Sequence, residues 1–152
     1  MILEAQFGVL FKTVLLYGGE NDGLNQIHMN EKISIVVVCK NEAGVIERLL
    51  KNAQGISDDV VIYDNGSTDG TIELAKQYKV HLHQGEWLGF GKTKQKAVRL
   101  AKYDWILSLD ADESLDEVLQ KELKNLSFDS AKTVYDIPFK NFLGNKHLKW
   151  GE

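Results

Sequence analysis

The chain has 152 residues, 43% of them hydrophobic, and a formal net charge of −4 at pH 7. This length and composition suit a single globular domain, and the negative charge gives no basic surface field for binding nucleic acid. No apolar run reaches the ~18 residues that span a bilayer, and the single cysteine, Cys39, excludes an internal disulfide and suits a reducing cytoplasm.

Residues 1–30 form an N-terminal extension whose structure the sequence leaves open. The apolar run at 7–17 has no cationic leader and no small-residue cleavage site, so we do not expect a signal peptide. A polar, glycine-rich break at 18–23 follows it. The segment either lies outside the fold or packs against it as an amphipathic element, and we place the globular domain at 31–152.

Strand and helix patterns alternate from residue 32 onward. Runs at 32–39, 60–63, 80–83, 105–109 and 133–142 predict strands. Helical spacing predicts helices at 41–54, 72–78, 92–102 and 114–126, the last with Val118 in its apolar stripe. Asn41 is the expected N-cap of the first helix and Gly55 its stop, and Ser114 with Glu117 forms a capping box for the fourth. This order predicts an α/β fold with a mostly parallel, doubly wound sheet.

Polar residues follow three of the predicted strands, namely Lys40, Asn41 and Glu42, then Asp64 and Asn65, then Asp110 and Asp112. The carboxyl ends of parallel strands share one edge, where ligands bind, so we expect these residues to converge. Converging acids without matching bases favour a bound cation, and Mg²⁺ or Mn²⁺ on one or two carboxylates usually also takes substrate phosphates. Taken alone, each of these stretches is more commonly a turn or a helix cap than part of a ligand site.

Lys94 is predicted to point inward from the third helix. At 100° per residue it lies within about 60° of Ala97, Val98 and Ala101, which mark the buried side. A diphosphate held above the acidic edge would give this ammonium an anionic partner. The alternative is that Lys94 pairs with one of the carboxylates or bends outward to solvent.

Three stretches, 33–42, 60–71 and 105–113, together resemble glycosyltransferase family 2. Residues 86–91 and 137–144 resemble the branch that includes lipopolysaccharide-core β-glucosyltransferases. The resemblance covers about residues 31–152 and implies a GT-A, Rossmann-like fold. It also implies an inverting enzyme whose donor is a nucleotide-diphosphate sugar, with UDP as the expected nucleotide.

The resemblance implies roles for individual residues in the donor pocket. Lys40, Asn41 and Glu42 would line the pocket for the nucleotide base. Asp64 would contact the base or ribose, and Lys94 matches a basic position that contacts the nucleotide. No residue of this chain is assigned as the catalytic base.

The resemblance also implies a metal site and the partners of the reaction. Asp110 and Asp112 form the D-x-D motif, with Asp112 the more direct ligand of Mg²⁺ or Mn²⁺. The cation would neutralise the diphosphate leaving group while an acceptor hydroxyl attacks the anomeric carbon. The expected acceptor is a glycan or a lipid-linked acceptor in cell-envelope polysaccharide synthesis. We also expect a cytoplasmic protein that associates peripherally with the inner membrane face.

The sequence departs from the family pattern at two positions and in extent. Asn65 stands where many members have a second Asp, and Gln95 where many have Asn. Family enzymes also carry a further half with the general base and the acceptor site. We therefore expect a GT-A domain truncated after its nucleotide-binding half, or alternatively an incomplete fragment that only binds nucleotide sugar. A haloacid dehalogenase-type phosphatase is disfavoured because its D-x-D closes the first strand.

Overall fold

The computed structural model describes residues 5–6, 32–126, 137, 139–143 and 146–148. Within these residues no helix has the length and apolar character that a membrane span needs. The described elements are, in chain order, β1 (Ala5–Gln6), β2 (Ile33–Cys39), α1 (Ile46–Gln54), β3 (Asp59–Asp64), α2 (Thr71–Ala75), β4 (His81–Gln84), α3 (Phe90–Val98), β5 (Trp105–Asp110), β6 (Ser114–Leu115), α4 (Glu117–Asn125), β7 (Phe139–Leu143) and β8 (Lys146–Leu148).

A four-stranded parallel sheet in the order β4-β3-β2-β5 forms the centre of the fold. The strands β2 and β3 lie inside it, and their β-branched side chains are buried on both faces. Ile35 and Val37 pack with α1, α2 and α4, while Val36 on the opposite face packs with α3. Each fully buried side chain of this kind contributes about 1.5–3 kcal/mol of apolar burial. The predicted mostly parallel, doubly wound sheet is therefore confirmed.

The strand order reverses at β2, and this reversal places the site. The chain runs outward from β2 through β3 to β4 and then returns to place β5 on the other side of β2. In open α/β sheets a crevice forms at such a reversal, at the carboxyl ends of the two strands. The carboxyl ends of β2 and β5 are thus the expected ligand-binding edge.

A second sheet has the order β6-β1-β7-β8. The strand β1 pairs antiparallel with β6 and parallel with β7, and β7 pairs antiparallel with β8. Of the N-terminal residues 1–30, the described pair Ala5–Gln6 therefore takes part in a sheet. The predicted strand at 133–142 overlaps β7, and its residues 133–136 lie outside the described residues.

Two predicted helix starts were wrong, both because a tertiary contact uses the expected cap. Asn41 has a left-handed φ of 57° and binds another loop, so α1 begins only at Ile46. Ser114 pairs with β1 as part of β6, and Asp116 caps α4 instead by accepting from the Leu119 amide at 2.8 Å.

The predicted stripe of α4 and the predicted lengths of α2 and α3 differ from the structure, whereas the predicted end of α1 matches it. Val118 is 56% exposed, so it does not belong to the apolar stripe of α4. The helices α2 and α3 are both shorter than expected, and Tyr78 lies in the turn after α2. Gly55 ends α1 as predicted, although its φ of −76° is right-handed.

Candidate functional site

The carboxyl ends of β2, β3 and β5 border a cavity of about 490 Å³. Its wall combines acids, lysines and aromatic rings, and the lining residues are Val38, Cys39, Lys40, Glu42, Asn65, Trp87, Phe90, Lys94, Asp110, Ala111 and Asp112. The structure therefore brings together five of the seven predicted site residues. Asn41 and Asp64 are not among the lining residues.

Strand register explains why the side chains of Asp110 and Asp64 lie on opposite faces of the sheet. Asp110 lies opposite Val38, whose side chain packs with the smaller core beneath α3. Asp64 lies opposite Cys39, one residue further along β2, whose side chain belongs to the larger core. Because successive side chains of a strand alternate between faces, the two aspartates point to opposite sides of the sheet.

The Asp64 carboxylate is fully buried and holds the loop that follows β3. It accepts hydrogen bonds from the backbone amides of Gly66 and Ser67, both at 2.9 Å, and from the Ser67 hydroxyl. Burial, followed by the charge of Asp64, raises the pKa of the Cys39 thiol to about 12. Cys39 thus remains a protonated core residue, in keeping with its predicted place inside a strand.

Residues of the loop after β3 fix the loop after β2. Asn41 accepts a hydrogen bond from the Thr68 amide at 2.8 Å, and its own amide donates to Ser67 at 2.8 Å. The Glu42 amide donates to the Thr71 hydroxyl at 2.8 Å. The cluster of turn-forming residues therefore has a mechanical role, because it positions the Lys40–Glu42 backbone beside the cavity.

Lys94 reaches the acidic edge from α3. Its ammonium lies 3.0 Å from an Asp110 carboxylate oxygen, and the two side chains are 28% and 31% exposed. This matches the alternative in which Lys94 pairs with a carboxylate. Burial, reinforced by the charges of Asp112 and Asp69, raises the pKa of Glu42 above its usual range. By formal charge, the three acids that line the cavity, Glu42, Asp110 and Asp112, outnumber its two lysines, Lys40 and Lys94.

The donor set at this edge fits a hard divalent cation. Asp110 and Asp112 supply carboxylate oxygens two residues apart at the end of β5, and Asp112 is exposed to the cavity. Among the described residues no three His, Cys, Asp or Glu side chains group closely enough to form a complete metal site. A cation here would take its other ligands from water and substrate, as Mg²⁺ commonly does.

Glu113 supports the turn that carries both aspartates, and the sequence patterns did not single it out. It is 6% exposed, its side chain accepts from the Asp110 amide at 2.8 Å, and its own amide donates to the Asp110 carbonyl at 3.0 Å. The two bonds close a ring around the turn. In the sequence Glu113 is only the third acid of the stretch D-x-D-E. Its burial and its hydrogen bonds to Asp110 depend on the folded turn, so the sequence alone does not distinguish it from a solvated residue.

Asn65 and two aromatic rings complete the wall. Asn65 Oδ1 is buried and has no hydrogen-bond partner among the described residues, which costs about 1–3 kcal/mol. Trp87 and Phe90 meet edge to face, with ring centroids 4.8 Å apart. Trp87 lies in the loop between β4 and α3, and Phe90 is the first residue of α3. The sequence patterns gave neither ring a role in the site.

Comparison with known proteins gives a family and a fold. Glycosyl transferase family 2 matches residues 34–152. An uncharacterized glycosyltransferase of Rickettsia bellii is 38% identical over 96 residues, which cover 63% of this chain and 33% of that protein. The lipopolysaccharide core biosynthesis glycosyltransferase LpsC of Rhizobium meliloti is 30% identical over 99 residues, which cover 62% of this chain and 36% of LpsC. The chain thus spans about one third of the length of these relatives.

Solved structures share the fold. The crystal structure of S. aureus TarS 1-349 aligns with a TM-score of 0.53 at 24% identity, over 60% of this chain and 30% of that TarS chain. Glucosyl-3-phosphoglycerate synthase of Mycobacterium tuberculosis in complex with UDP aligns with a TM-score of 0.50 at 19% identity, over 64% of this chain and 42% of that one. Together with the family match, these similarities confirm the predicted GT-A-like fold class.

Proposed function

This chain belongs to glycosyl transferase family 2, and we propose that its cavity binds the nucleotide-diphosphate part of a sugar donor. The proposed reaction moves the sugar to a glycan or lipid-linked acceptor with inversion at the anomeric carbon. The observation that carries this proposal is the meeting of Asp110, Asp112 and Lys94 at one edge of one cavity.

The charges of this edge suit a metal-bound diphosphate. We assign Asp110 and Asp112 as the residues that would hold Mg²⁺ or Mn²⁺, and the bound cation would supply neutralisation of the diphosphate leaving group. Lys94 and Lys40 place ammonium groups in the wall of the same cavity, where they can contact phosphate oxygens. Burial, and then the charges of Asp112 and Asp69, raise the pKa of Glu42, and a cation beside Asp112 would offset part of that repulsion.

Three of the predicted nucleotide contacts, Glu42, Asn41 and Asp64, would affect donor binding in different ways. Glu42 remains a candidate for contact with the nucleotide because it lines the cavity. Asn41 and Asp64 act through the loops that they hold, since their side chains are engaged by Thr68 and by Gly66 and Ser67. Their effect on donor binding would be indirect.

The name of one relative supports the proposed class of acceptor. LpsC of Rhizobium meliloti is named for lipopolysaccharide core biosynthesis. We therefore propose an acceptor in cell-envelope polysaccharide synthesis. The cytoplasmic, membrane-peripheral location is a separate proposal that rests on the sequence resemblance alone. Binding of donor without transfer is the alternative, and a transfer assay with a lipid-linked acceptor separates the two.

Titration calorimetry with UDP and Mn²⁺ tests the proposed donor site. We expect UDP to bind in Mn²⁺, and we expect EDTA or Asp112→Asn to weaken binding by at least about tenfold, which corresponds to about 1.4 kcal/mol. Asp104→Asn is the matched control, because Asp104 is exposed and precedes β5 at the opposite end of that strand. Equal UDP affinity with Mn²⁺, with EDTA and in Asp112→Asn would show that no metal bridges the diphosphate.

A further inference from the structure

Two large aromatic side chains stand exposed in the wall of the cavity. Trp87 is 48% exposed and Phe90 is 76% exposed, yet both line the cavity. Their rings meet at an interplanar angle of 85°. In an edge-to-face pair the edge of one ring covers a face of the other, and the remaining faces stay open to a ligand.

The loop that carries these rings is anchored at its first residue. The Gly85 amide donates to the Asp64 carbonyl at 3.0 Å. A Cβ at Gly85 would lie 2.0 Å from the Tyr63 hydroxyl oxygen, so the backbone there packs directly against the Tyr63 ring. Only glycine allows that approach.

A second anchor holds the residues between Trp87 and Phe90. The Leu88 amide donates to the Thr93 hydroxyl at 2.9 Å, and the Thr93 amide donates to the Gly89 carbonyl at 3.0 Å. Thr93 is fully buried, and Gly89 has a φ of 86° that other residues rarely adopt. Trp87 is therefore presented by a loop that is held at both ends, and Phe90 by the first residue of α3. Pre-organisation of this kind reduces the cost of binding a ligand.

The chemistry of the cavity divides into two parts. Trp87 and Phe90 meet nearly at a right angle and supply an apolar corner, in which a planar ring can lie flat on one aromatic ring and meet the other with its edge. Asp110, Asp112 and Lys94 supply the charges suited to a metal-bound diphosphate. A ligand that matches both parts must join a planar ring to a diphosphate, as a nucleotide does. Resting on the proposed function, we propose that Trp87 and Phe90 form the surface on which the nucleobase of the donor stacks.

The experiment compares two probes that share the charged end and differ in the ring. UDP and inorganic diphosphate are titrated with Mn²⁺ present into the unchanged chain and into Trp87→Leu and Phe90→Leu. Loss of base stacking should weaken UDP binding by about tenfold in each variant and leave diphosphate binding within about twofold. Trp87→Phe keeps a ring that can stack and should recover most of the UDP affinity.

Leu88→Ala is the matched control. Leu88 lies between the two aromatic residues and is 44% exposed, but its side chain does not line the cavity. Its removal should leave both affinities unchanged. A loss in Leu88→Ala as large as in Trp87→Leu would overturn the inference, because the loop itself rather than the aromatic rings would then be responsible.

Failure of the inference differs from failure of the proposed function. If the unchanged chain binds UDP and the leucine variants bind it equally well, no base stacks on these rings while the donor site stands. Equal weakening of UDP and diphosphate would also overturn the inference, since the rings would then act on the charged end. If the unchanged chain binds neither probe in Mn²⁺, the proposed function falls and the inference falls with it.

Discussion

Lys94→Met separates the contribution of Lys94 to folding from its contribution to ligand binding. Charges 3.0 Å apart, as in the Lys94–Asp110 pair, attract by roughly 5 kcal/mol at an effective dielectric constant of about 20. The two side chains are 28% and 31% exposed, so desolvation and solvent screening offset most of that attraction. We therefore expect a loss of only about 1 kcal/mol in the free energy of unfolding.

The effect of Lys94→Met on binding should be larger than its effect on folding. A hydrogen bond from the ammonium to a phosphate oxygen contributes about 2 kcal/mol, and its loss should raise the Kd of UDP in Mn²⁺ roughly thirtyfold. Urea denaturation measures the first quantity and titration calorimetry the second. Lys92→Met is the control, because Lys92 lies on the same helix, is exposed and does not line the cavity. If Lys94→Met binds UDP as tightly as Lys92→Met, Lys94 does not contact the diphosphate.

Two further predictions concern groups around the site. Glu113→Ala should lower the free energy of unfolding by about 1–3 kcal/mol in urea denaturation, since it removes the side-chain acceptor of the part-buried Asp110 amide. Glu113→Gln retains an acceptor oxygen and should lose less, so equal losses would argue against this hydrogen bond. Because the Cys39 pKa is raised to about 12, the thiolate is scarce at pH 8, and the folded chain should resist a thiol reagent that labels it in guanidinium chloride. Rapid labelling of the folded chain at pH 8 would contradict the burial of Cys39.

The sequence predicted the centre of the fold because its signals there are local. The β-branched run at 32–39 matches β2 within one residue. The helical spacing of α3 predicted an inward Lys94, and the pairing of Lys94 with Asp110 is the alternative that the sequence left open. The start of α1 could not be read locally, because Asn41 is held by Thr68, which lies 27 residues further along the chain.

The remaining parts of the site depend on register and tertiary contacts. Asp64 and Asp110 both end strands, but Asp64 pairs with Cys39 and Asp110 with Val38. This difference of one residue directs the Asp64 side chain toward the larger core. The position of Trp87 beside Phe90 depends on Thr93, which is buried in α3 and accepts a hydrogen bond from the Leu88 amide of the preceding loop. No spacing rule on a single strand or helix contains that information.

The central claim is that Asp110 and Asp112 hold a divalent cation against a nucleotide diphosphate. Anomalous diffraction at the manganese edge, from crystals grown with Mn²⁺ and UDP, tests it directly. The predicted result is a manganese peak in contact with Asp112 and with diphosphate oxygens, lost in crystals of Asp112→Asn. A UDP molecule in this cavity with no manganese beside Asp110 or Asp112 would contradict the claim.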